Sequence, residues 1–117
     1  MITSVAFTVY PVADLQRARL FYENTLGLTP ASNFNDEWQE YELGDSTFAI
    51  TTIDMGHTPG ANGAAIAFET SDLDSFAGRL KEQGVTFVTD IFSSEVCRMA
   101  VIQDPDGNHL VIHKRNS

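Results

Sequence analysis

The residues of this chain best equipped for chemistry are three histidines (His57, His109 and His113), a single cysteine, Cys97, and five carboxylates crowded between Asp36 and Asp45. An imidazole exchanges a proton near neutral pH and can ligate a metal. His109 and His113 share a strand-like run, where a rise of roughly 3.3 Å per residue separates them by about 13 Å along the backbone. Two side chains so far apart do not easily grip one ion. His109 then reads as a loop-end residue at a rim, and His113 as a wall residue held by a neighbouring hydrogen bond. The alternative is that one of them contacts a ligand or serves as a general base. Cys97 carries a similar pair of readings, a small buried hydrophobe or a nucleophile. Arg98 beside it would lower a thiol pKa, but adjacent strand residues point to opposite faces. His57 falls in a Gly/Pro-rich stretch, where a solvated side chain is expected.

Asp36, Glu37, Glu40, Glu42 and Asp45 lie within ten residues that contain no Lys or Arg. A solvated strand and turn explains them. So does a binding wall in which Glu40 and Glu42, with Trp38, attract a cation and offer it an aromatic face. Paired carboxylates also divide acid and base roles where burial separates their pKa values.

The elements that position these residues follow from periodicity and punctuation. Asp14 is a helix cap, followed by Leu15, Ala18, Tyr22 and Leu26 at helical spacing and by Gly27 as the stop. Asp72 is a second cap, with Leu73, Phe76, Ala77 and Leu80 as the apolar stripe and Gly84 as the stop. A strand-like run precedes each helix, at 5–10 and 64–70. Beyond the first helix, 38–43 and 47–52 flank Gly44-Asp45, a hairpin signal. Beyond the second come 85–88, 97–103 and 109–114, the last two around Asp104-Pro105-Asp106-Gly107-Asn108. The caps are 58 residues apart, half the chain, so both halves read strand, helix, then about three strands. The expected modules are 1–55 and 63–117, joined by a linker at 56–62. Each half alone would be a marginal core, so a single domain spanning 1–117 is expected.

Composition narrows the class. Acidic residues outnumber basic ones 16 to 7, a net charge of −9, which argues against nucleic-acid binding because phosphates require a basic face. Residues 1–60 carry −6 of that charge and residues 61–117 carry −3, so most of the excess sits in the first half, much of it in the acidic hairpin. One cysteine makes neither an internal disulfide nor a thiolate zinc cluster. No apolar run approaches about 18 residues, so no membrane span is expected. Met1-Ile2-Thr3-Ser4 lacks the basic and apolar regions of a signal peptide, which makes a cytoplasmic location the expectation.

Pro11-Val12-Ala13-Asp14-Leu15, Arg17-Ala18, Phe21-Tyr22 and Leu26-Gly27-Leu28 resemble the opening of the vicinal oxygen chelate superfamily. That group includes glyoxalase I, bleomycin-resistance proteins, fosfomycin-resistance transferases and extradiol dioxygenases. Asp104-Pro105-Asp106-Gly107-Asn108 with Leu110 resembles its final hairpin, so the likeness covers nearly the whole chain. It implies an α+β fold of two βαβββ modules forming a curved mixed sheet around a concave cavity, usually in a homodimer. Metal-using members place ligands at positions that correspond here to Phe7, Ala65 and Val111. None of the three side chains carries a donor atom, so the resemblance implies a member without the usual metal and no cofactor is expected.

Residues in phase with those positions share the concave face. They are Ala67, Glu69, Cys97, Met99, Val101, His109 and His113 in the second half. In the first they are Trp38, Glu40, Glu42, Thr47, Ala49 and Thr51, with Tyr41, Leu43, Phe48 and Ile50 turned to the helix. The resulting expectation is a metal-independent binder of a cationic or aromatic small molecule. Its wall is drawn from Phe7, Trp38, Glu40, Glu42, Ala65, Glu69, Met99, His109, Val111 and His113. The alternative is a glyoxalase-type lyase or isomerase, or a dioxygenase-like enzyme, of the same superfamily, which would need another electrophile.

Overall fold

A computed structural model of the chain describes residues 1–56 and 58–116. His57, expected in the linker, lies outside the described residues. The chain divides into two compact units, Met1–Pro59 and Gly60–Ser117.

The first unit runs β1 (Thr8–Pro11), α1 (Leu15–Arg19), a π-helical turn (Leu20–Thr25), β2 (Pro30–Phe34), β3 (Trp38–Leu43) and β4 (Ser46–Thr51). Its sheet has the order β1-β4-β3-β2, with β1 parallel to β4 and the other pairs antiparallel. The Asp14 carboxylate accepts from the Arg17 N–H at 3.1 Å and starts α1 where the sequence places it. The helix does not continue in α geometry to Leu26, as the apolar spacing predicts. The Leu26 N–H donates instead to the Phe21 carbonyl, five residues back, at 2.9 Å. In this turn Phe21 and Tyr22 are both buried while Leu26 is only half-buried. Gly27, at φ +81°, then takes the left-handed position that ends the helix.

Tyr22 packs on Phe48 and Tyr41, with ring centroids 5.2 and 6.3 Å away, and Tyr10 meets Phe48 at 5.4 Å. The buried Tyr41 hydroxyl finds its partner in Glu23, donating at 2.9 Å, and the Arg19 Nε donates to the same carboxylate oxygen at 2.7 Å. Burial pushes the Glu23 carboxyl up, but hydrogen bonds from Arg19 and Tyr41 prevail and hold it below its usual value. The Tyr41 phenol is pushed up, first by burial and then by the Glu23 carboxylate.

The second unit runs β5 (Ile66–Glu69), α2 (Leu73–Glu82), β6 (Phe87–Ser93), β7 (Cys97–Gln103) and β8 (His109–Arg115), with the sheet order β5-β8-β7-β6. Asp72 caps α2 through the Ser75 N–H at 3.1 Å. Leu73, Ala77 and Leu80 are buried on the helix, and Ala100, Ile102, Leu110 and Ile112 on the sheet. Phe76 is only half-buried and lies under the Arg79 guanidinium, 5.3 Å from its centroid. Arg98 ties the sheet to α2 through two hydrogen bonds to Asp74, at 2.8 and 2.9 Å.

Several boundaries differ from the expected ones. Phe7 and Ala65 precede β1 and β5 rather than lying within them. The run expected at 85–88 becomes Phe87–Ser93, because the Val85 N–H closes the helix end on the Leu80 carbonyl at 3.1 Å. Strand β2 is exposed throughout and has no apolar alternation to announce it. It is pinned by the buried Gln39, whose amide donates to the carbonyls of Ala31, Ser32 and Glu40 and accepts from the Asn33 side chain.

Candidate functional site

Each helix covers one face of its own sheet, so the residues of interest fall on the other face. In the first unit, Val9, Ala49 and Glu40 align across β1, β4 and β3, and Pro11, Thr51 and Trp38 align beside them. The Trp38 indole N–H donates to Glu40 Oε2 at 3.0 Å. The Phe7 ring stands edge-on to Trp38, with centroids 5.2 Å apart and planes at 85°. Phe7, Trp38 and Glu40 therefore form one cluster, half-buried at the indole and carboxylate and 41% exposed at Phe7. Edge-to-face is one of the two arrangements that aromatic rings prefer.

Glu42 does not join this cluster. It is exposed on the row beyond, and its carboxylate accepts from the Thr47 hydroxyl at 2.9 Å. Thr51, in phase with the cluster, is buried, and its hydroxyl donates to the Glu37 carbonyl at 2.7 Å. Asp36 and Asp45 are exposed in turns. Among the described residues, neither Glu40 nor Glu42 is ion-paired with a Lys or Arg. The Glu40 charge is left facing solvent beside an aromatic surface, an arrangement that suits a cation with a flat apolar body.

In the second unit the same face carries three rows. Glu69, His113 and Met99 align across β5, β8 and β7, then Ala67, Val111 and Val101, then His109 with Gln103. His113 Nδ1 and Glu69 Oε1 are 2.5 Å apart, and the other Glu69 oxygen accepts from the Arg115 N–H at 2.7 Å. These bonds, the backbone one foremost and then that of His113, hold the Glu69 carboxyl below its usual value. His109 Nε2 lies 3.3 Å from the Gln103 amide at the strand's start. The register thus brings Glu69, His113 and Met99 together, sets Val111 beside them, and leaves His109 two rows away. Ala65 is exposed ahead of β5. Cys97 is buried, with its sulfur 3.4 Å from the Ser94 hydroxyl.

The ligand positions that the resemblance implies fall on Phe7, Ala65 and Val111. A hydrocarbon side chain supplies no lone pair, so these residues do not fit a divalent cation. Among the described residues no group of three or more His, Cys, Asp or Glu side chains is placed to hold a metal. Among them, too, no helix is long and apolar enough to cross a membrane.

Sequence reasoning missed the turn that delivers Trp38. Asn35 and Asp36 both adopt positive φ, at 56° and 54°, and reverse the chain between β2 and β3. The signal was the Asn-Asp pair itself, because these short polar side chains tolerate left-handed geometry.

A family model described as Glyoxalase/Bleomycin resistance protein/Dioxygenase superfamily matches residues 4–112. No curated protein matches the chain. Among similar solved structures is TnmS3, an antibiotic binding protein from Streptomyces sp. CB03234, with a TM-score of 0.84 at 24% identity over 98% of both chains. A glyoxalase/bleomycin resistance protein from the same organism has a TM-score of 0.77 at 26% identity, covering 97% of this chain and 100% of that one. A superfamily member from Sphaerobacter thermophilus DSM 20745 has a TM-score of 0.78, also at 26% identity, over 97% and 98%.

Proposed function

The chain belongs to the Glyoxalase/Bleomycin resistance protein/Dioxygenase superfamily, and from that premise we propose that it binds a small planar aromatic cation without using a metal. The observation that carries this reading is the Phe7–Trp38–Glu40 cluster. Glu40 fixes the indole through its N–H, so the aromatic surface is ordered before a ligand arrives. The same carboxylate supplies the charge a cation seeks, and Phe7 adds a second ring at right angles. Likeness to an antibiotic binding protein supports small-molecule binding at the level of fold. In this reading the modules 1–55 and 63–117 act as one domain, in a cytoplasmic homodimer. A lyase, isomerase or dioxygenase of the superfamily needs an electrophile that Phe7, Ala65 and Val111 do not hold in place.

Trp38 is the only tryptophan, so its fluorescence reports on the cluster directly. Titration with proflavine, a planar aromatic cation, should quench it and raise the melting temperature. At a hundredfold excess over Kd the stabilisation is about 2.7 kcal/mol. Glu40→Gln should weaken binding of the cation, with less effect on a neutral acridine. Unchanged fluorescence and melting temperature would overturn the reading. So would one tightly held divalent ion per chain after purification without chelators.

A further inference from the structure

The Glu69–His113 pair lies on the second sheet and plays no part in the cation reading. His113 Nδ1 faces a carboxylate oxygen, which can only accept, so the neutral imidazole carries its proton on Nδ1. That leaves Nε2 as a lone-pair acceptor, and it has no partner among the described residues. Glu69 is already engaged by His113 and the Arg115 N–H. It orients the ring rather than offering a second binding atom. The register places Met99 next to His113, with Val111 and Ala67 in the adjoining row. These are small or apolar groups, and the thioether makes favourable contact with aromatic ring edges.

We propose that His113, positioned by Glu69, is a hydrogen-bond acceptor for the hydroxyl of a planar phenol whose ring lies over Met99 and Val111. A phenol matches both halves of this surface, one acidic O–H donor on an apolar ring. An anion does not, because the nearest fixed charge is the Glu69 carboxylate. The inference rests on the second unit alone and stands or falls separately from the Trp38 cluster.

The test uses the whole protein, with 4-chlorophenol, which stays un-ionised at neutral pH, as the probe and chlorobenzene as its partner lacking the hydroxyl. Long-range proton–nitrogen spectra should show His113 as the Nδ1–H tautomer. Adding 4-chlorophenol should move its Nε2 resonance to saturation, and chlorobenzene should bind about tenfold more weakly, the worth of one hydrogen bond. His113→Phe should erase the preference, Glu69→Gln should let the other tautomer appear, and Trp38→Phe should change neither. An Nε2–H tautomer in the native protein, or equal binding of the two probes, would overturn the proposal. Both measurements are made on the unsubstituted chain, so they decide the matter even if a variant fails to fold.

Discussion

The two units share an order of elements, a sheet topology and even their punctuation, yet they are built from different residues. Asp14 and Asp72 cap the helices, and Gly27 and Gly84 end them at φ near +80°. Phe48 and Leu110 occupy equivalent places, the first paired with Thr8 and the second with Ile66. Around them the first core is aromatic and contains a buried tyrosine hydroxyl, whereas the second is aliphatic. The uncovered faces diverge further. Where the first sheet has Pro11, Thr51 and Trp38, the second has Glu69, His113 and Met99. The shared backbone asks only for caps, stops and alternation, so the side chains on the uncovered face are free to differ in chemistry.

The cores provide the largest expected contrast. Phe48→Ala should cost about 4 kcal/mol and Leu110→Ala about 3 kcal/mol, because truncating the larger buried ring removes more contact and leaves the larger void. Denaturant unfolding measures both, and equal losses would break the distinction between an aromatic and an aliphatic core.

The hairpin ends should differ next. Between β7 and β8, the buried Asp104 carboxylate accepts from the N–H groups of Asp106 and Asn108 and from the Asn108 amide, all within 2.8–2.9 Å. Asp104→Ala leaves these donors unpaired and should cost about 2–3 kcal/mol. The corresponding turn at Gly44-Asp45 is short and exposed, so Asp45→Ala should stay within about 0.5 kcal/mol.

Helix-to-sheet polar contacts sharpen the comparison on a smaller scale. Glu23→Ala strands the Tyr41 hydroxyl and the Arg19 guanidinium and should cost about 2 kcal/mol. The second unit's Arg98–Asp74 pair is exposed, and Arg98→Ala should leave the melting temperature essentially unchanged.

The smallest effects are in pH dependence. Glu23 and Glu69 both titrate below the usual glutamate value. Stability they contribute is therefore complete above the ordinary glutamate range and disappears as pH falls through the lowered value. Glu23→Gln should flatten that acid limb at any ionic strength. Glu69→Gln should do so only in low salt, because its carboxylate is exposed and screened.

Much of the fold was legible because it rests on local chemistry. Asp14 and Asp72 announce helix starts, Gly44-Asp45 announces a tight hairpin, and the alternation in 97–103 locates a strand to the residue. Strand β2 was not legible, because Pro30–Phe34 is an exposed edge whose place is fixed by hydrogen bonds from Gln39. Nor was the π-helical turn, where Phe21 and Tyr22 are buried side by side against the periodicity of the segment. In the candidate site, alternation identified the chemistry-bearing face of β8 but not that Glu69 and His113 would be bonded across 44 residues.

By itself the sequence determined the repeated order of strands and helix in the two halves apart from β2, their caps and stops, and the hydrocarbon side chains at Phe7, Ala65 and Val111. Those are properties of single residues and short spacings. Only the tertiary structure decided that Trp38 bonds to Glu40 and meets the Phe7 ring while Glu42 stands apart. It likewise decided that His113 meets Glu69 and that His109 lies two rows away. The reason is register. Residues that alternate along one strand acquire partners only when other strands are aligned beside them, and that alignment is fixed by the cores on the opposite faces.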